Sequence, residues 1–137
     1  MKRSDRYDSL FHYYAEQNDV PWLLLKSQVK AESNFDPLAM SPVGASGLAQ
    51  FMPKTFNEWV TKLNIHSPNP FNPEHSIQCQ AAYMRWLMDQ FPGELDRAIA
   101  SYNFGVGNEH NHRPWPVETV NYVKRVNRYL AEYTGVV

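Results

Sequence analysis

The chain is predicted to be all-α. Apolar residues recur at helical spacing in one segment after another, and prolines stand between those segments. No run alternates apolar with polar residues as a half-buried strand would. Tyr7, Leu10, Phe11 and Tyr14 fall at i, i+3, i+4 and i+7, the stripe of a first helix. Pro21 suits the opening of a second, where its missing N–H leaves no bond unmade. Trp22, Leu25 and Val29 share one side of that helix, and Glu32 continues the row. Pro37 and Pro42 then forbid helix. Pro53 opens a third, with Phe56, Trp59, Val60 and Leu63 as its stripe.

The prolines of NIHSPNPFNP keep the next stretch extended. Asn72-Pro73 reads as cap and first turn of a long helix to about Phe91, with Ile77, Ala81, Met84, Met88 and Phe91 inward. Pro92-Gly93 ends it. Leu95, Ala98, Ile99 and Tyr102 mark a short helix closing near Gly105, and GVGNEHNHRPWP follows as a loop. The last helix is expected to turn Val120, Val123, Val126 or Asn127, and Leu130 inward. Trp22, Trp59 and Trp86 lie on helical stripes and are assigned to the core. Neither linker nor repeat is visible, so residues 1–137 are expected to form one domain, a compact helical unit with a substrate cleft.

Composition excludes several classes of function. Thirteen Lys and Arg against 14 Asp and Glu give a net charge of −1, which offers no general attraction for nucleic acid or anionic membranes. No apolar run approaches the roughly 18 residues of a membrane helix, so no membrane insertion is expected. The single cysteine, Cys79, cannot form an internal disulfide and is expected to be buried on a helix. The start, MKRSDRYDSLF, lacks the apolar core of a signal peptide. That leads to an expectation of cytoplasmic synthesis, as in a phage endolysin or virion protein, or of a bacterial enzyme trimmed of its leader.

The chemistry concentrates where the second helix ends. Glu32 shares a face with Leu25 and Val29 and sits in the last turn, where backbone carbonyls present the negative end of the helix dipole. Burial and that dipole both disfavour its charged form, so its pKa is expected to rise, as a general acid requires. Gly44 and Gly47 suit unusual torsions or a close approach of backbone. Ser41, Ser46 and Gln50 supply short neutral groups of the kind that read sugar hydroxyls and acetamido groups. Tyr102 and Asn103 stand where an apolar helix meets glycines, and Tyr122 lies early in the last helix. One acid with neutral amides and aromatics suits a carbohydrate.

The stretch from Glu32 to Thr55, E-S-x-F-x-P-x-A-x-S-x-x-G-A-x-G-L-x-Q-x-M-P-x-T, resembles the signature of the soluble lytic transglycosylases, whose catalytic domain has the goose-type lysozyme fold. SYNFGVGN (101–108) is similar to the family's A-Y-N-A-G element, and PVETVNYV (116–123) to its E-T-x-x-Y-V element. The resemblance spans about Tyr7 to Tyr133. It implies that Glu32 is the sole catalytic acid and base. It also implies that Ser41, Gln50 and Met52 line the cleft, that Tyr102 lies near the scissile bond, and that Glu118 and Tyr122 form cleft wall. Ser33 is expected to support the turn. Ala49 stands where the family usually has Met, and Ser101 and Phe104 replace the alanines of A-Y-N-A-G. These departures bear on subsite shape and remove no polar catalytic group.

Most glycosidases need two carboxylates, but one suffices when the substrate supplies the second group. The resemblance therefore implies a peptidoglycan lytic transglycosylase. It would cleave the β-1,4 bond between N-acetylmuramic acid and N-acetylglucosamine without water and leave 1,6-anhydromuramyl ends. No cofactor or metal is called for, and a monomer acting on glycan strands in the periplasm is expected. The rival expectations are a goose-type lysozyme, with Asp36 or Asp96 as second carboxylate, and a wall-binding module of a phage particle without turnover. His110 and His112, with Glu109 nearby, match no metal-binding spacing and read as polar loop. Asp36, before Pro37, reads as a turn residue. Trp115 suits either a stacking platform or an anchor for its loop.

Overall fold

The computed structural model describes residues 2–135. A 3₁₀ turn (Arg3–Asp5) leads into α1 (Asp8–Asn18), α2 (Trp22–Ser33), α3 (Pro53–Lys62), α4 (Pro73–Gln90), α5 (Leu95–Phe104), α6 (Val106–His110) and α7 (Val117–Thr134). Among the described residues there is no strand, only two isolated bridges that pair Ser46 with Met40 and Phe51. The punctuation works as its chemistry dictates. Pro21 caps α2, Pro53 is the first residue of α3, and the Asn72 side chain accepts from the His75 N–H at 3.1 Å to cap α4.

Helix α4 runs through the middle, touching α1, α2, α3 and α5, while α7 lies across α2 and α5. Phe11, Leu25, Val29, Ile77, Met84, Leu87, Ile99 and Val126 form the main core, all wholly buried. Each such side chain contributes about 1.5–3 kcal/mol through removal from water. A smaller cluster beneath α3 joins Ala49, Phe51, Phe56, Trp59 and Val60 to Cys79 and Ala82 of α4. Burial on α4, as expected for Cys79, pushes its thiol up to about 12. Tyr83 and Tyr102 pack against both clusters, and the seam they bridge is where the site lies.

Three expectations need correcting. The stretch after Gly105 is not all loop, because Val106–His110 forms α6. Val106 packs on the main core and Glu109 is buried, contacts that a polar-looking sequence conceals. The last helix buries Val123 and Val126 as predicted, but its inward face is wider than predicted on one side and narrower on the other. Thr119 and Tyr122 join them in the interior, while Val120 and Leu130 are only half-buried. Trp59 is core, but Trp22 is half-buried and Trp86 is 36% exposed. Trp86 stacks on Tyr83 at 6.3 Å and Trp22 on His12 at 3.8 Å, so both lie over the core rather than in it.

Candidate active site

Helix α2 stops abruptly after Ser33 because Asn34 and Phe35 adopt left-handed torsions (φ 50° and 64°). The chain then folds a tight loop back toward the helix end. Ser33 Oγ donates to the Leu48 carbonyl at 2.8 Å, in the supporting role expected of it. Gly47 (φ 79°) lies so close to the next segment that an added Cβ would stand 1.9 Å from the Pro70 carbonyl oxygen. Gln50 (φ 53°) donates from Nε2 to the Ala39 and Gly47 carbonyls at 3.1 and 3.0 Å. The Ser76 hydroxyl accepts from Ala49 N–H at 3.0 Å. The loop is rigid because its polar groups satisfy one another.

Between this loop, α5 and α7 opens a cleft of about 690 Å³. Eight of the residues singled out from the sequence line it: Glu32, Ser41, Gln50, Met52, Tyr102, Asn103, Glu118 and Tyr122; Ser46 does not, because its buried hydroxyl donates to the Gly44 carbonyl at 3.1 Å within the loop. Their surroundings differ. Ser41 Oγ accepts from Ala45 N–H and braces the rim, while Met52 is 43% exposed beside the entrance. Tyr102 donates its hydroxyl to the Ala49 carbonyl at 2.9 Å, which fixes its ring along one wall. Asn103 Oδ1 accepts from the Thr119 hydroxyl at 2.7 Å, tying α5 to α7. Glu118 is exposed on the wall, and Tyr122 is buried to 1%.

Glu32 is half-buried, with its carboxyl deep at the cleft floor. Burial raises its pKa from 4.5 to about 8; the Tyr122 hydroxyl and Arg125 oppose that rise, and Glu118 adds to it. The expected direction is borne out, and desolvation is its main cause. Burial and the nearby Glu32 in turn hold Tyr102 and Tyr122 well above the usual phenol range, so both remain neutral donors.

Arg125 was not foreseen, although Glu118, Tyr122 and Arg125 sit at i, i+4 and i+7 on one face of α7. Tyr83, Phe51 and Thr55 also line the cleft. Of the departures from the signature, Phe104 and Ser101 both line the cleft, Ser101 wholly buried with its hydroxyl donating to the Arg97 carbonyl, whereas Ala49 is buried outside it. Asp36 and Asp96 lie outside the cleft. Asp36 accepts from Leu38 N–H in a turn, and Asp96 from Asn127. Trp115 is an anchor, donating to Glu109 Oε2 at 2.7 Å, and His110 pairs with Gln90 over the Phe91 ring.

The family model described as "Transglycosylase SLT domain" matches residues 9–114. The chain belongs to this family. A soluble lytic murein transglycosylase of Escherichia coli K12 is 33% identical over 105 residues, covering 74% of this chain and 16% of that protein. A membrane-bound lytic murein transglycosylase F of Marinobacter nauticus is 35% identical over 117 residues, covering 81% of this chain and 22% of its own length. This SLT domain thus spans about a fifth of such relatives. Its fold matches a 70-kDa soluble lytic transglycosylase solved with bulgecin A at a TM-score of 0.87, with 28% identity over 96% of this chain and 24% of that one. An inactive Glu-to-Gln variant of lytic transglycosylase Slt from Pseudomonas aeruginosa matches at 0.85, with 27% identity over 94% of this chain and 24% of that one.

Proposed function

We propose that the protein is a peptidoglycan lytic transglycosylase with Glu32 as acid and then base. The observation that carries this reading is the Glu32 carboxyl at the cleft floor, kept protonated near neutral pH and flanked by neutral phenols and amides. Glu32 gives its proton to the glycosidic oxygen between N-acetylmuramic acid and N-acetylglucosamine, and the C1–O bond breaks. The muramyl acetamido oxygen stabilises the positive charge at C1. Glu32, now a carboxylate, takes the proton of the muramyl C6 hydroxyl as that oxygen bonds to C1. The proton count returns to its start, no water enters, and the product is a 1,6-anhydro end. The relatives' names, all murein transglycosylases, and the Glu-to-Gln origin of the inactive neighbour support this assignment.

Neighbouring groups have more restricted roles than the sequence suggested. Both Gln50 amide hydrogens are engaged by the loop, so Gln50 meets a sugar only as an acceptor through Oε1. Asn103 accepts through Oδ1, which leaves its Nδ2 group to donate to an acetamido carbonyl. Tyr102 offers a fixed ring face. All these groups come from one chain, which supports the reading of a monomer acting on glycan strands of the bacterial wall, met in the periplasm or, in a phage setting, from the virion. The test is to digest purified peptidoglycan with the wild type and Glu32→Gln and weigh the released muropeptides. Ends one water lighter than a reducing muramic acid, absent with the variant, are expected. Reducing ends would instead indicate hydrolysis, with Glu118 the carboxylate positioned on the cleft wall to hold the water.

A further inference from the structure

Behind the cleft runs a line of buried polar groups that the reaction above does not use. Gln28 on α2 and Gln80 on α4 are wholly buried among apolar side chains. Gln80 Nε2 donates to the Leu25 carbonyl at 3.1 Å and to Gln28 Oε1 at 3.2 Å. Gln28 Nε2 donates to the Tyr122 hydroxyl oxygen at 3.3 Å and to Met84 Sδ at 3.2 Å. All four amide hydrogens of the pair are therefore engaged.

A side-chain amide can be turned end for end, so the direction of such a line must come from a group with a single role. The Leu25 carbonyl is that group, because it can only accept. It holds the Gln80 amide hydrogens toward α2, which makes Gln28 Oε1 the acceptor and points the Gln28 amide hydrogens at Tyr122. The Tyr122 oxygen is thereby occupied as an acceptor, and its one proton is left to point into the cleft that it lines with Glu32, whose carboxylate it favours. Turning Gln28 alone would set two NH₂ groups face to face. Turning both would set Gln80 Oε1 against the Leu25 carbonyl. The observed direction leaves Gln80 Oε1 unpaired, but turning one amide or both would press like groups together, so one direction prevails.

We propose that Gln28 and Gln80 are positioning residues that aim the Tyr122 hydroxyl proton at Glu32. The proposal deepens the assignment of Glu32 as the acid and rests on it for its meaning in catalysis. A donor aimed at Glu32 favours its carboxylate, so the acid releases its proton more readily and is held in place for the return step. The other charged or titratable groups that influence Glu32 are Arg125 and Glu118 on α7 and Tyr102 on α5. Neither glutamine hydrogen-bonds to any of them among the described residues.

The test is a ¹³C NMR titration of the Glu32 carboxyl in wild type, Gln28→Met, Tyr122→Phe and the double variant. Gln28→Met keeps the volume and removes the donor. It is expected to raise the Glu32 pKa by about half to one unit, and to add nothing in the Tyr122→Phe background. The alkaline limb of the pH–activity profile should move upward by the same amount. A folded Gln28→Met whose Glu32 titrates as in the wild type overturns the proposal, and so does an equal shift with and without the Tyr122 hydroxyl. Gln80→Met, one link further out, should give a smaller shift of the same sign and decides the matter where Gln28→Met does not fold. The titration reads the carboxyl directly, so a protein that proves to be a hydrolase or a binder fails the functional assignment without altering this result.

Discussion

Replacing Glu32 by Gln should stabilise the protein, and the gain should grow with pH. An ordinary glutamate ionises near 4.5, whereas burial holds Glu32 protonated to about 8 in the fold. Below the lower value both folded and unfolded chains carry the proton, so Glu32 costs nothing. Between the two values the unfolded chain releases its proton and the folded chain keeps it, so stability falls as pH rises. At about 1.4 kcal/mol per unit, the loss is about 1 kcal/mol at pH 5, about 3 at pH 7 and nearly complete at about 5 by pH 9. Gln keeps the shape and the acceptor for Tyr122 but has no proton to lose. Urea unfolding of both proteins at pH 5, 7 and 9 should therefore diverge, with the Tm of the variant about 10 °C higher at pH 7. A difference that stays constant across that range would refute the argument. It would place Glu32 in water at an ordinary pKa and remove the physical basis for its role as an acid.

In the proposed reaction the same carboxyl would set the upper edge of activity: kcat should fall as pH rises through about 8, since the acid must carry its proton, and a profile flat to pH 10 would count against it. Gly47→Ala, whose Cβ would meet the Pro70 oxygen at 1.9 Å in left-handed backbone, should cost about 2–5 kcal/mol in urea unfolding. A cost under about 1 kcal/mol would mean that the loop shifts freely. Glu109→Gln removes the charge facing Arg97 at 2.7 Å but leaves an acceptor for Trp115. A loss of about 1–3 kcal/mol is expected, with little change in Trp fluorescence, and a large fluorescence shift would mean that the charge itself seats the ring. Phe35→Gly relieves a left-handed torsion worth about 1–2 kcal/mol and gives up a ring that is 3% exposed, so a net loss of about 2–3 kcal/mol is expected by the same method. A neutral or stabilising outcome would show that the strain, not the burial, was the larger quantity.

The helices were legible because apolar spacing reports burial, and burial is most of what shapes a helical core. Trp86 was misplaced for the same reason, since a stripe position says which side of a helix a residue is on but not whether a neighbour covers it. The inward face of α7 was misread where its buried members, Thr119 and Tyr122, carry hydroxyls and so escape an apolar count. Helix α6 escaped because its buried member is a charged one, Glu109, neutralised by Arg97 far from it in sequence. The cleft-lining set was legible through the resemblance of three segments to one family. Arg125 was missed although it shares a face of α7 with Glu118 and Tyr122, and the Gln28–Gln80 pair could not be seen, since it depends on two helices crossing and no local pattern records a crossing.

Those unforeseen groups share a physical cause with the expected ones. A carboxyl at the end of α2 gains a raised pKa only if water is kept from it, and keeping water out requires the chain after Ser33 to fold back at once. That reversal puts Asn34, Phe35 and Gln50 into torsions that cost about 1 kcal/mol or more each. The buried Phe35 ring, the two Gln50 amide bonds and the Gly47–Pro70 approach hold them there. Burial alone would over-stabilise the neutral carboxyl, and in the proposed reaction an acid that never releases its proton would be inert. Tyr122 and Arg125 correct this by favouring the carboxylate, which brings the pKa back to about 8, where both protonation states are accessible. Burial and its partial compensation are therefore one device, and local rules of sequence fail at the loop and on α7 because both serve the same carboxyl.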